Sequence, residues 1–275
     1  ARYMDEVERV LYNNVLTGVS LSGDKYTYQN PLNTDKPDRW EWHVCPCCPP
    51  MFLKIMAAMP GYIYAYQGDN VYVNLFIGSE VRIPVGDNSV RLKQLTSYPW
   101  HGAVSIQVNP DKASTFSMKV RIPGWAQGTE NPYDLYQSNL KAPVKLKVNQ
   151  EDVLLRIVDG YAEINREWKK GDHIELELPM QPRLITANKA VENLRGQVAL
   201  ASGPIIYCFE DADNPELQTF KLQAQTPLEL SHDSNLLNGV NIIKCQGDIP
   251  AKAIPYYAVA NREESHSYKV WIPQK

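Results

Sequence analysis

Between residues 3 and 16 the apolar positions Val7, Val10, Leu11 and Leu16 recur near helical spacing, with Asp5, Glu6, Glu8 and Arg9 between them. The spacing predicts an amphipathic helix, and Gly18 lies where a terminating glycine belongs. Residues 24–42 carry no period. Tyr28-Gln29-Asn30-Pro31, Asp35, Pro37 and the pair Trp40 and Trp42 make a polar, turn-rich stretch. After Pro49-Pro50 a second helix is expected through Phe52, Ile55, Met56 and Met59, because proline is tolerated in a first helical turn.

From Pro60 onward the period drops to two. Tyr62-Ile63-Tyr64, Val71-Tyr72-Val73-Asn74-Leu75, Val81-Arg82-Ile83 and Val104-Ser105-Ile106-Gln107-Val108 read as half-buried strands. So do Phe116-Ser117-Met118-Lys119-Val120, Leu146-Lys147-Val148 and Ile174-Glu175-Leu176-Glu177-Leu178. Gly-Asp-Asn at 68–70 and 86–88, and Lys170-Gly171-Asp172, are turn signals between them. Short strands at this spacing predict a mainly β chain of sandwich type. Roughly 215 residues of such pattern exceed one sandwich of about 100 residues, so a cut is expected near Met180-Gln181-Pro182. The division is then a helical opening over 1–59 and two sandwich domains over 60–180 and 181–275. Two helices alone bury too little to make a domain, and read as the tail of something larger.

Composition narrows the function classes. Lys plus Arg is 28 against 31 for Asp plus Glu, a net charge of −3, which excludes a basic nucleic-acid footprint. No run of 18 apolar residues offers a membrane span. The opening Ala1-Arg2-Tyr3 shows no charged-then-apolar leader, and the compartment, cytoplasmic or exported, stays open. The 16 Tyr and 6 Trp against 5 Phe suit sugar-binding clefts and ordinary β-surfaces alike.

The most informative feature is a cluster of thiols at Cys45, Cys47 and Cys48, against Cys208 and Cys245, which stand alone in strand-like runs and read as core. The cluster sits at or just before a helix N-terminus, where the dipole and free N–H groups favour a thiolate. Three readings stay open for it: a local disulfide or buried thiols, a zinc site, or a catalytic thiol. A structural zinc site would need a second Cys pair, which the chain lacks, so other ligands would have to come from elsewhere. His43 and Glu41 are local candidates. Asp35, Asp38 and Glu41 could supply a glycosidase carboxylate pair, but read as solvated. His43, His101, His173, His232 and His266 form no pair at metal-ligand spacing, and no Gly-x-Gly-x-x-Gly, Walker or Gly-x-Ser-x-Gly pattern is present.

Taken in order, several motifs resemble the C-terminal part of the β-L-arabinofuranosidase-like glycoside hydrolases, families 127 and 146. They begin with Leu11-Tyr12-Asn13, Leu21-Ser22-Gly23-Asp24 and Tyr28-Gln29-Asn30-Pro31-Leu32. Cys47-Cys48-Pro49-Pro50, Pro60-Gly61-Tyr62-Ile63-Tyr64, Arg121-Ile122-Pro123-Gly124-Trp125, Gly160-Tyr161 and Arg166-Glu167-Trp168 follow. Gly203-Pro204-Ile205-Ile206-Tyr207, Ile254-Pro255-Tyr256-Tyr257, Asn261-Arg262 and Trp271-Ile272-Pro273 complete the set.

The resemblance implies a fold in which the last helices of an (α/α)₆ barrel, residues 1–59, precede two jelly-roll-like β-sandwiches. It implies a zinc-dependent retaining hydrolase of L-arabinofuranose-containing glycans, with Cys47 as nucleophile and zinc ligand, Cys48 as a second zinc ligand and Tyr28 lining the sugar pocket. Cys45, His43 and Trp42 take no role by the match. Two further zinc ligands, a Glu and a Cys, and the general acid/base Glu belong upstream in the family and have no counterpart in these residues. The chain is then either part of a longer enzyme, with the missing N-terminal barrel as its partner, or a degenerate homologue, and on its own it is expected to be inactive. The competing reading is a non-catalytic carbohydrate-binding or packing module with structural cysteines. A pure interaction module would leave a wide apolar stripe uncovered on helix 3–16. Neither nucleic acid nor membrane is expected as a partner; a homodimer is left open.

Overall fold

The computed structural model describes residues 1–41, 46–247 and 249–275. The chain folds as two compact units, one of Ala1–Glu6, Ala57–Gln127 and Lys141–Met180, the other of Val7–Met56, Gly128–Leu140 and Gln181–Lys275.

The first unit is a β-sandwich. One sheet runs Glu151–Asp152, Lys145–Val148, Asp172–Glu177, Ala103–Pro110, Asn88–Thr96, Ser79–Val85, all antiparallel. The other runs Ile157–Val158, Tyr161–Trp168, Ser114–Arg121, Asn70–Val73, Tyr64–Gln67, with one parallel pairing between Asn70–Val73 and Ser114–Arg121. The period-two expectation is met residue by residue: Val104, Ile106 and Val108 are buried while Ser105 and Gln107 face out. Phe116, Met118 and Val120 of one sheet and Leu92, Ile106 and Ile174 of the other supply the core. Trp168 is fully buried and its indole donates to the Phe116 carbonyl at 3.0 Å, so its polar edge is satisfied. The Gly-Asp signals form two-residue hairpin turns in which Gly68 (φ 57°) and Gly86 (φ 55°) take the left-handed position. Tyr62 and Ile63, expected in a strand, lie instead in the short helix Pro60–Ile63, which Pro60 initiates; the strand begins at Tyr64.

In this unit Asp5 accepts from the fully buried guanidinium of Arg121 at 2.5 Å, and Arg121 also donates to the Asn74 carbonyl. Phe76 lies against the same guanidinium, with Cζ 5.7 Å from the ring centroid.

The second unit is one ten-stranded sheet whose ladder forks. In Gln197–Ser202, residues 200–202 pair with Ile205–Glu210, while Gln197 and Val198 pair with Ile272–Pro273. In Ile205–Glu210, residues 207–209 pair with Ala251–Pro255, and Phe209 and Glu210 also pair with Tyr268–Lys269. Each change of partner lets the sheet curl over its own apolar face. The strands at the fork are buried at nearly every position, Cys208 among them, and Cys245 is buried on a neighbouring strand.

The N-terminal helix departs from the expected pattern. Arg2–Val10 is α-helical, but Leu11–Val15 widens into a π-turn and Leu16–Gly18 tightens into a 3₁₀ turn. Its buried positions are Glu8, Asn13 and Thr17 beside Leu11, and Val10 is exposed. Asn13 explains the change: its amide donates to the Arg9 and Pro204 carbonyls and accepts from the Ile206 N–H at 2.7 Å. The helix thus meets the hairpin at 203–206 through a side chain that imitates a strand, and the π-turn brings that side chain into reach.

Two buried ionic groups hold the second unit. Glu130 and Arg183 make a two-pronged pair at 2.6 and 2.9 Å, and Arg183 also donates to the Gly203 carbonyl. Glu210 and Asp213 share Arg262, with Lys252 completing Asp213. Arg183→Ala buries the Glu130 carboxylate without this cation and should cost about 3–5 kcal/mol of stability. Pairing Arg183→Met with Glu130→Leu should restore the larger part; denaturant midpoints of the variants measure both. At Asp213 burial opposes ionisation, but hydrogen bonds from Arg262 and Lys252 outweigh it and hold the carboxyl below its ordinary value. Its stabilising contribution is complete above about pH 4 and fades as pH falls through its own lower value. The loss of stability on acidification should therefore be smaller in Asp213→Asn than in the parent, read from denaturation midpoints at neutral and acid pH.

Candidate active site

The helix Cys48–Ala58 carries the thiols at its start. The Cys47 carbonyl accepts the first helical bond, from the Met51 N–H at 3.3 Å, which makes Cys47 the cap and Cys48 the first helical residue. The next two positions are Pro49 and Pro50, which have no N–H. This corrects the expectation of free N–H groups around the sulfurs: of the first three helical residues only Cys48 offers one. The helix start alone supplies little stabilisation for an anion here.

The two sulfurs lie 3.9 Å apart, Cys47 exposed and Cys48 half-buried, both as thiols. That is nearly twice a disulfide bond of about 2.05 Å, and close to the edge, about 3.8 Å, of a tetrahedron with metal–sulfur distances near 2.3 Å. Among the described residues no group of three His, Cys, Asp or Glu side chains comes together to hold a metal, so those residues supply no more than this pair. Cys45, His43 and Trp42 lie outside the described residues.

Tyr28 stands on the turn-rich segment before the thiols, 47% exposed. Its ring stacks on Trp40, centroids 5.9 Å apart and 7° from parallel, which makes a flat aromatic surface. Trp40 is fixed by mutual backbone bonds with Tyr26, at 2.9 and 2.8 Å, and its indole donates to Asp38. In the sequence Trp40 reads only as an aromatic in a polar stretch, and nothing local marks its partner. Beside it, burial lowers the Arg39 guanidinium to about 10, while Tyr268, Glu210 and Tyr256 act the other way. Asp35 and Asp38 accept from Gln218 and Trp40, and Glu41 is exposed, in keeping with their reading as solvated.

Residues 1–61 match the family described as beta-L-arabinofuranosidase, GH127 catalytic domain. Residues 70–180 match its middle domain and 182–273 the C-terminal domain of glycoside hydrolase family 127. The chain belongs to family GH127. It is 29% identical over 311 residues to a non-reducing end beta-L-arabinofuranosidase of Bifidobacterium longum subsp. longum, over 95% of this chain and 44% of that protein. A solved GH127 beta-arabinofuranosidase superposes with a TM-score of 0.92 at 34% identity, over 100% of this chain and 46% of that one. A GH127 beta-L-arabinofuranosidase from Geobacillus stearothermophilus T6 gives 0.89 and 34%, over 99% and 46%. This GH127 chain thus spans less than half the length of these relatives.

Burial raises the Cys208 thiol well above its ordinary value and Cys245 to about 12, whereas Cys47 is open to solvent. Limiting iodoacetamide at about pH 8 should therefore label the Cys47-Cys48 dipeptide and leave Cys208 and Cys245 untouched until the protein is unfolded. Peptide mapping by mass spectrometry checks the order.

Proposed function

We propose that this chain is the C-terminal part of a retaining glycoside hydrolase that releases β-linked L-arabinofuranose, with Cys47 as nucleophile, Cys47 and Cys48 as zinc ligands and Tyr28 facing the sugar. Residues 1–59 are then the last part of its helical-barrel domain. The observation that carries the reading is the pair of adjacent sulfurs at 3.9 Å, spaced as two corners of a tetrahedral site at the mouth of a helix. Membership of family GH127 supports the reaction class. The helix Cys48–Ala58 supports the barrel assignment: it is apolar in sequence yet has no buried residue, with Met51 and Leu53 more than half exposed. The uncovered apolar surface thus lies on this second helix rather than in a wide stripe on the first.

Zinc bound at the pair would keep sulfur deprotonated near neutral pH. The Cys47 sulfur then attacks the anomeric carbon, the bond to the leaving oxygen breaks, and that oxygen takes a proton from an acid outside these residues. Water displaces sulfur from the thioglycosyl-enzyme, and two inversions give retention. Tyr28 and Trp40 offer a flat surface against which a furanose ring can rest.

The test is zinc content and cleavage of para-nitrophenyl β-L-arabinofuranoside by the full-length gene product. About one zinc per chain is expected. Cys47→Ala should lose at least about a thousandfold in turnover with the sandwiches still folded, and Cys48→Ala should lower zinc content. Normal turnover by Cys47→Ala overturns the nucleophile, and unchanged metal content in Cys48→Ala overturns that ligand. Absence of zinc together with a Cys47–Cys48 disulfide would point to a packing or sugar-binding module instead.

A further inference from the structure

The Tyr28–Trp40 surface stands on a segment with little ladder of its own; its longest strand among the described residues is the two-residue Asn33–Thr34, paired with Tyr268–Lys269. Most of what holds this segment comes from side chains. The Tyr256 hydroxyl donates to the Pro31 carbonyl at 3.0 Å, and the Tyr268 hydroxyl donates to the same oxygen at 2.8 Å. A carbonyl oxygen has two lone pairs, and here each meets a buried phenol. The two rings stand edge to face, centroids 6.1 Å apart. Burial pushes the Tyr256 hydroxyl up to about 12 and raises Tyr268 as well, so both remain donors across the neutral range.

Two phenylalanines would fill the same volume without the cost of burying two hydroxyls. What the hydroxyls add is a hold on Pro31, three residues beyond Tyr28. Proline has a fixed φ, so a fixed carbonyl leaves this turn little freedom. On the other side of Tyr28, the Thr27 N–H donates to the Gly18 carbonyl at 3.1 Å and the Thr27 hydroxyl to Asn30 at 2.8 Å. Tyr28 is thereby bracketed, while close to half of its surface stays open to solvent.

We propose that Tyr256 and Tyr268 are positioning residues for the sugar site: clamping the Pro31 carbonyl between their hydroxyls sets the Tyr28 ring against Trp40. The inference rests on the reading of Tyr28 as a sugar-facing residue. It gives Tyr256 and Tyr268, both near the C-terminal end of the chain, a part in substrate binding that acts through Pro31.

The experiment uses the full-length gene product with Tyr256→Phe, Tyr268→Phe and both together. Tyr28→Ala serves as a reference and Ile243→Val as a core control in the same unit. Hydrogen exchange of residues 26–40 reads the clamp directly, and kcat and KM on para-nitrophenyl β-L-arabinofuranoside read its consequence. The double variant should exchange faster at Tyr26 and Trp40 and raise KM roughly tenfold, with kcat within about twofold, while Ile243→Val leaves KM alone. Unchanged exchange and KM in the double variant, with KM raised by Tyr28→Ala, overturns the clamp and spares the reading of Tyr28. Unchanged KM in both overturns Tyr28's role and the positioning role with it. An equal KM rise in Ile243→Val reduces the effect to general loosening and also overturns the proposal. Should the double variant fail to fold, the single variants carry the same comparison.

Discussion

An irregular segment has little strand ladder to take up its carbonyls, and in this protein that need decides how residues 17–40 are held. The Arg39 guanidinium donates to the carbonyls of Thr17, Tyr257 and Val259. The Asn33 side chain accepts from the Val270 and Trp271 N–H groups and donates to the Trp271 carbonyl. Together with the two tyrosines on Pro31, these bonds replace most of a ladder by side-chain donors and acceptors. Arg39 loses much of its hydration in doing so, which is why burial lowers its guanidinium, yet at about 10 it stays charged at neutral pH. A charged donor on several carbonyls is a stronger tie than a neutral one, which suits a segment on which two aromatic rings are stacked.

The ionic groups of each unit work by a related constraint. Arg121 reaches back to Asp5, and Arg183 to Glu130, so each pair joins stretches far apart in sequence. A buried pair adds little over a well-packed apolar one, but leaving one member alone costs several times more than the pair contributes, about 3–5 kcal/mol. The consequence is selectivity: arrangements that bring up the segment without its partner are heavily disfavoured. Arg262 extends the same logic to two carboxylates, one of which, Glu210, also accepts from the Ala260 N–H.

At the thiols, the two prolines decide what the helix can and cannot do. They start the helix at a defined residue, which brings the two sulfurs to 3.9 Å, and they remove two of the N–H groups that would otherwise face an anion. Geometry for a metal and poverty of hydrogen-bond donors therefore come from the same pair of residues. This is the physical link between the short motif and the proposed zinc chemistry, and it can be read from the sequence once the helix start is known to a single residue.

Local periodicity determined the sheets. Alternating runs such as Val104–Val108 became strands because burying one face of a pleat needs only that each second residue be apolar, and Gly68 and Gly86 could turn the chain because glycine tolerates positive φ. The nearness of the Cys47 and Cys48 sulfurs was likewise legible, since adjacency in sequence guaranteed it. The tertiary structure alone decided the buried polar face of the first helix, where Asn13 meets Pro204 across 191 residues, and the stacking of Tyr28 on Trp40. It also decided the two hydroxyls on Pro31. The reason is the same in each case: a polar side chain gains its bonding energy only when its partner arrives, so its place cannot be read from neighbours along the chain, whereas an apolar one gains by leaving water whichever surface covers it.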